Sequence, residues 1–175
     1  MDAVDKILDQ WRRERPDIDA APMGMIGRLS RITGFFSMQM EKTFRKHGLN
    51  ASSFDLLATL RRAGAPYVLS AGALMQSMMI TSGTTTNRIK QLEKAKLIIR
   101  KADAKDRQVV MVQLSPLGFA KIENTLVDHV RTQAALIARL SPEEIQQMTR
   151  LLRKLESANA AIIGNVLPAA ELPHE

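Results

Sequence analysis

The stretch from Ile80 to Gln108 constrains the fold more than any other part of this chain. It opens on small residues that suit a helix start, because a hydroxyl there can accept a hydrogen bond from the first free backbone N–H groups. Further along, Thr85, Ile89 and Leu92 recur at the spacing that places side chains on one helical face. We therefore predict a helix that starts near Ser82 and packs on one side only.

The other side of this predicted helix offers polar groups. At about 100° per residue, these side chains lie opposite or at the edge of the apolar stripe: Thr86, Asn87, Lys90 and Lys94. After the helix, residues 97–99 and 109–114 have the composition of two strands joined by a polar turn, which predicts a β-hairpin. A polar-faced helix followed by a hairpin with a basic tip is typical of a winged helix-turn-helix.

Positive charge is concentrated in the same stretch. Eight basic residues and three acids lie between Thr81 and Arg107, a net charge of +5 out of +7 for the chain. A basic excess on one helix and one hairpin indicates phosphate contact, so double-stranded DNA is the predicted partner. The alternative is a solvated helix face. The candidate DNA contacts are Ser82, Thr84, Thr86, Asn87, Lys90, Lys94, Lys105 and Arg107.

Individual roles follow from side-chain chemistry. Asn87 can pair bidentately with adenine, and Lys90 can reach guanine or phosphate in the major groove. Arg107, at the predicted tip of the hairpin, is expected to enter the minor groove, where narrow A·T tracts attract arginine.

Composition argues against other classes of protein. No apolar run of about 18 residues occurs, so no membrane contact is predicted. The N-terminus lacks the apolar segment of a secretory signal, and cysteine is absent, so we expect a cytoplasmic protein with no metal or cofactor.

The alternatives are an enzyme, a metal-responsive regulator, or a winged helix used only for protein contact. Scattered histidines without ligand spacing and the lack of a nucleophile motif disfavour the first two, and the basic face disfavours the third.

The whole chain is predicted to consist of six segments, with this module in the middle. In chain order they are a short N-terminal helix at 1–15, a linker at 16–22, a long helix at 23–50, the winged helix-turn-helix at 51–114, two helices at 115–165 and a frayed tail at 166–175. Asn50 or Ser52 is expected to cap the helix that follows the long one. The fold class is therefore mainly α-helical with a small β-hairpin wing.

The terminal helices carry more apolar surface than a small winged core can cover. This excess predicts a homodimer through the terminal helices. A two-fold dimer fits a palindromic operator, because two recognition helices about 34–36 Å apart can enter successive major grooves.

Taken in order, these elements resemble the MarR family of bacterial regulators over almost the whole chain. Asp106-Arg107 in the wing and the turn from Leu114 to Gly118 are similar to that family's signature. Three segments resemble its urate-responsive PecS/HucR-like branch: WRRERPDID at 11–19, HGLNASSFDLLATLRRAGAPYVLS at 47–70 and TSGTTTNRI at 81–89.

This resemblance implies a transcriptional regulator, expected to be a repressor, whose operator binding is attenuated by urate or a related purine such as xanthine. It implies an anionic effector held by Trp11, Asp55, Arg88 and Arg100. Arg88 lies about 60° from the centre of the buried stripe. A partly buried arginine needs an acidic partner, for which Asp55 is the natural candidate. Arginine forks could hold the ligand oxygens, and Trp11 could stack on its ring.

The alternative is a winged-helix regulator that responds to a different small phenolic or anionic ligand. In that case, Asp55 and Arg88 form a purely structural ion pair, and Trp11 is a packing residue. The chain also departs from the family pattern at two positions. Gln108 replaces the usual second wing arginine, which implies weaker backbone contact, and Lys96 replaces the usual glycine before the first wing strand, which implies a different helix end.

Overall fold

A computed structural model describes residues 1–78, 85–103 and 106–162, without the side chain of Thr85. Within these ranges the elements are α1 (Ala3–Glu14), α2 (Ala21–Lys46), α3 (Ala51–Arg62), β1 (Val68–Ser70), α4 (Ala71–Ser77), α5 (Thr85–Lys94), β2 (Ile98–Ala102), β3 (Val110–Leu114), α6 (Pro116–Ile137) and α7 (Pro142–Ala158). The fold class is the predicted one, mainly helical with a small wing. The chain divides into two compact units, Met1–Glu41 and Lys42–Glu175.

In the first unit, α1 is anchored by its apolar side. Val4 and Leu8 are buried and form one cluster with Ala20. Trp11, on the last turns of α1, stays 40% exposed. The aliphatic residues, and not the tryptophan, are therefore the anchors of this helix.

Ion pairs add to the attachment of α1. The Asp2 side chain caps the helix by accepting from the backbone N–H groups of Val4 and Asp5. Arg28 of α2 donates from Nε to Asp2 at 2.9 Å and from Nη2 to Asp5. Because these side chains are about half exposed, we expect the pairs to orient α1 more than to stabilise it.

The linker before α2 is shorter than predicted. The helix begins at Ala21, where the sequence pattern suggests Met23, so Pro22 lies in its first turn. Proline is tolerated there because the first N–H groups of a helix have no intrahelical acceptor. Asp19 accepts from the Ala21 N–H at 2.9 Å, which helps the helix to start before the proline.

In the second unit, the core forms where α3 meets α6 and the sheet. The apolar residues with 0% exposure at its centre are Leu56, Leu57, Leu60, Leu74, Val112 and Ile122. They come from α3, α4, β3 and α6, so burial of these few residues fixes the helix-turn-helix scaffold onto the wing and the first C-terminal helix.

The wing has one strand more than predicted. The strand order is β1-β3-β2 and all pairing is antiparallel, with Leu69 opposite Val112 and Arg100 opposite Val112 on its other side. The sequence pattern does not indicate β1, because three residues are too few for a period of two to be recognised. β2 begins at Ile98 and not at Leu97, since Leu97 completes the end of the preceding helix.

That helix end has the geometry that a glycine would favour. The Leu97 N–H donates to the Leu92 carbonyl at 2.9 Å, and the Lys96 N–H donates to the Glu93 carbonyl at 2.8 Å. These two bonds form a Schellman motif, whose residue in the left-handed region is usually glycine. Here it is Lys96, with φ +59°. The departure from the family pattern therefore leaves the motif formed.

We expect the substitution Lys96→Gly to stabilise the protein. A residue with a Cβ is strained at positive φ, and glycine removes that strain, so the free energy of unfolding should rise by about 0.5–1 kcal/mol. Urea unfolding measures the change. Gln91→Gly, inside α5, is the matched control and should lower stability by about 1 kcal/mol. A loss of stability in both variants would contradict the account of the helix end.

Some predicted features lie outside the described residues. These are the turn around Ile80, the helix start near Ser82 and the tail at 166–175. Across the parts of the chain that the structure describes, no helix is long and apolar enough to cross a membrane, and no cluster of three metal-binding side chains occurs.

Candidate nucleic-acid interface and ligand site

α5 presents the two faces that the sequence predicts. Ile89 and Leu92 are 5% and 4% exposed, so they hold the helix on the core. The predicted DNA contacts that the structure describes on this helix are all exposed: Thr86, Asn87, Lys90 and Lys94. Amide and cationic groups therefore stand on a helix that is fixed from behind, as contact with base edges requires.

The wing tip is organised by its two acids. The Asp106 carboxylate accepts from the Gln108 N–H at 2.9 Å, and Asp103 accepts from the Asp106 N–H at 3.2 Å. Both carboxylates thus accept from backbone N–H groups of the turn. Arg107, the residue after Asp106, has an exposed side chain. The other predicted contacts, Ser82, Thr84 and Lys105, lie outside the described residues.

Arg88 is the predicted ligand residue with the most unusual environment. It lies on α5 and is half-buried. Its Nη1 donates to Asn50 Oδ1 at 2.9 Å, with Ser53 Oγ at 3.4 Å. Its Nε is buried and finds no hydrogen-bond partner in the described part of the chain. A buried donor without an acceptor is costly, so this edge of the guanidinium is suited to an incoming oxygen.

Asp55 lies on α3 and is 6% exposed. It comes two positions after Ser53 in the sequence, which puts the two side chains about 160° apart around the helix. Asp55 lines a cavity of about 570 Å³. The other lining residues are Phe54, Ala58, Arg61, Arg62, Glu123, Leu126 and His129. The ion pair between Asp55 and Arg88 stays a prediction.

The remaining two predicted ligand residues have different surroundings. Arg100, on β2, donates from Nε to Glu93 of α5 at 2.7 Å, so an anionic ligand there would compete with a carboxylate. Trp11 belongs to the unit Met1–Glu41, and its place in the set is implied by the resemblance alone.

Sequence reasoning did not assign Asn50 or Glu93 to a site. Asn50 is one of the two predicted helix caps, and the structure shows that it is the cap, since its side chain accepts from the Ser53 N–H at 2.9 Å. Its second contact, with Arg88, joins residues 38 positions apart, which no local pattern indicates. For Glu93, the sequence does offer a hint. It is a carboxylate near the end of α5, shortly before the basic residues of the first wing strand.

His129 is a titratable residue that lines this cavity. Its ring packs against both Phe44 and Phe54, with centroid separations of 5.4 and 4.5 Å. Burial lowers the pKa of His129 from its ordinary value of about 6.5, because the charged ring is poorly solvated there. The folded protein thus binds this proton less readily than the unfolded chain.

We expect a matching dependence of stability on pH. The contribution of neutral His129 is fully present above pH 6.5 and declines as the pH falls through 6.5 towards the pKa of the folded state. Urea unfolding at several pH values should show this decline, and His129→Gln should reduce it. If the stability of the variant declined with pH as much as that of the wild type, another titratable group would be responsible.

The arrangement of helices and strands defines the class of protein. Two helices of a helix-turn-helix, backed by α3 and followed by a hairpin with a basic tip, form a winged helix. This class places an exposed helix face and a wing against duplex DNA.

Comparisons with known proteins narrow the class to a family. A model of the MarR family matches residues 47–108. The chain is 40% identical over 153 residues to the HTH-type transcriptional regulator PecS of Dickeya dadantii (strain 3937), covering 87% of this chain and 92% of that protein. This chain therefore belongs to the MarR family, and it is a DNA-binding transcriptional regulator and not an enzyme.

Solved structures share the fold of this chain. Sco3205, a MarR family regulator from Streptomyces coelicolor in complex with DNA, has a TM-score of 0.75 at 17% identity, over 88% of this chain and 96% of that one. Bordetella bronchiseptica BpsR, whose DNA binding is regulated by 6-hydroxynicotinic acid, has a TM-score of 0.65 at 26% identity, over 75% of this chain and 98% of that one.

Proposed function

We propose that this regulator is a homodimeric repressor that binds a palindromic operator and releases it when urate or a related purine binds. The proposed DNA binding rests on one observation, that α5 has an exposed polar face and a buried apolar face. Asn87 and Lys90 are exposed on one side, while Ile89 and Leu92 are buried on the other.

Apolar exposure on the C-terminal helices supports a dimer. None of the residues of α7 is buried, although Met148, Leu151, Leu152 and Leu155 form a stripe along it. Most of the stability of a helix in a protein comes from the packing of its apolar face, which this stripe lacks within the described part of one chain. A second copy of the chain would cover this stripe on both molecules through one two-fold interface.

The ligand half of the proposal rests on Arg88. Its buried Nε needs an acceptor, and a urate oxygen carries the required negative charge. Asp55 and Arg100 complete the proposed set in this unit, and Trp11 joins it by resemblance. BpsR responds to 6-hydroxynicotinic acid, which is also flat and anionic, so a ligand of this shape is consistent with the family.

Ligand binding would act on DNA through α5 itself. Arg88 is one residue from Asn87, so any shift of Arg88 towards a ligand moves the face that contacts bases. A coupling free energy of about 1–3 kcal/mol, typical of such linkage, would weaken operator binding roughly 5–150-fold.

Titration of effectors against the protein–DNA complex tests this proposal. Fluorescence anisotropy of a labelled operator would be followed with urate, xanthine and 6-hydroxynicotinate. We expect a purine to release the wild-type protein, with much higher concentrations needed for Trp11→Phe and Arg88→Gln. Arg139→Ala, which removes an exposed arginine after α6, is the control and should respond like the wild type.

Each contrary outcome has a definite meaning. Release by 6-hydroxynicotinate and not by purines would favour the alternative regulator of a different anionic ligand. Equal purine sensitivity in wild type and Arg88→Gln would show that Arg88 is not a ligand residue.

A further inference from the structure

We infer that Asn50 is a positioning residue that holds Arg88, and with it α5, in the ligand-free position, and that an anionic effector competes with its amide oxygen. This inference rests on the proposed ligand site. The inference is drawn from one oxygen atom that accepts two hydrogen bonds. Asn50 Oδ1 receives the Ser53 N–H at 2.9 Å and Arg88 Nη1 at 2.9 Å. One oxygen therefore joins the start of α3 to the middle of α5.

Asn50 stands on a fixed support. The preceding turn ends α2 with a Schellman motif, in which the Leu49 N–H donates to Phe44 and Gly48 has φ +67°. Lys121 of α6 donates from Nζ to the His47 carbonyl at 3.0 Å, and Leu49 is buried. Because this turn is tied on two sides, Asn50 cannot easily follow Arg88 when the arginine moves.

The contact also has a suitable strength for a switch. A guanidinium bound to a neutral amide oxygen is held by a charge-assisted hydrogen bond, but a bond between two charged groups is stronger. Ser53 Oγ adds little, since at 3.4 Å it lies beyond ordinary hydrogen-bond lengths. An anionic oxygen can therefore displace Asn50 and can also satisfy the buried Nε that the resting state leaves without an acceptor.

Two substitutions at position 50 change this contact in opposite directions while keeping the helix cap. Asparagine, aspartate and serine are all favourable N-caps, so α3 should start normally in each variant. Asn50→Asp offers Arg88 a carboxylate and should hold it more tightly. Asn50→Ser has a shorter side chain that can still cap α3 but falls short of Arg88, and should release it.

The first readout is the concentration of urate that releases half of the bound operator. We expect this concentration to rise roughly tenfold in Asn50→Asp and to fall several-fold in Asn50→Ser, because the competing bond is strengthened or lost. Ser52→Asp is the matched control. It adds the same charge to the first turn of α3 but leaves the amide oxygen of Asn50 that Arg88 contacts, and should shift the concentration much less.

The second readout needs no effector, so it separates this inference from the proposed function. Hydrogen exchange of the α5 amides should be faster in Asn50→Ser and slower in Asn50→Asp than in the wild type. If no purine releases the wild-type protein but exchange in α5 changes in this way, the proposed effector is wrong and the positioning role of Asn50 holds.

A purely structural role for Asn50 predicts a different pattern. Both variants would then alter the melting temperature alone, with α5 exchange and effector response equal to those of the wild type. That result would overturn the inference.

Discussion

Alanine at Asn87 should lower operator affinity by about 1–3 kcal/mol, or roughly 5–150-fold, and most of that loss should be confined to one base pair. Asn87 is exposed on α5 next to Lys90, and its amide can donate to and accept from an adenine edge. The affinity of the variant for operators mutated at that base pair should match its affinity for the original operator. Competition binding with a set of single-base operator variants measures this loss of discrimination.

Arg107→Ala is the matched comparison, because it removes a contact of a different kind. Arg107 is exposed at the wing tip, where it can reach phosphate and the minor groove. We expect binding to weaken by a similar factor at every sequence, and the slope of log K against log salt to flatten by about one. If Arg107→Ala kept the affinity and the salt slope of the wild type, the wing would not contact DNA.

Gly118→Ala is expected to destabilise the fold by about 3 kcal/mol or more. A Cβ at Gly118 would lie 1.9 Å from the Leu97 carbonyl oxygen and 2.8 Å from its carbonyl carbon. These are backbone atoms, and they are held in place. The Ser115 N–H donates to the Leu97 carbonyl at 3.1 Å, and Ser115 Oγ donates to the Lys96 carbonyl at 2.7 Å. Relief of the clash would therefore separate α6 from the wing.

Gly72→Ala provides the control for this substitution. Gly72 lies in α4, and a Cβ there would meet no atom within 4 Å. Alanine should then stabilise the helix by about 0.5–1 kcal/mol through its higher helix propensity. Urea unfolding of the two variants compares the effects directly. A small effect at Gly118 would mean that α6 and Leu97 are less closely packed than described.

The elements of the fold follow from local patterns in the chain. Ile89 and Leu92 are buried and Asn87 is exposed, as their spacing predicts, because one helical period determines both faces. β1 escapes such reasoning, since it is three residues long and follows Tyr67, a non-glycine residue with φ +60°. Lys96 shows a related limit. The residue type disfavours a left-handed conformation, but the bonds of the helix end impose it.

The candidate site follows from sequence only in part. Arg88 is half-buried at the edge of the exposed face of α5, as its angle on the helix predicts. Its contacts with Asn50 and Ser53 depend on how α5 packs against α3, and the pairing of Arg100 with Glu93 depends on how β2 leaves the helix end. Such tertiary contacts leave no periodic signal, so the sequence indicates the residues but not their partners.

In the proposed complex, two copies of this chain place their α5 helices in successive major grooves of one duplex. Light scattering of the purified complex, formed on an operator obtained by in vitro selection, tests it most directly. We expect two chains per duplex and two inverted half-sites whose centres lie about 10 base pairs apart. A single chain bound to one half-site, without an inverted repeat in the selected sequences, would contradict it.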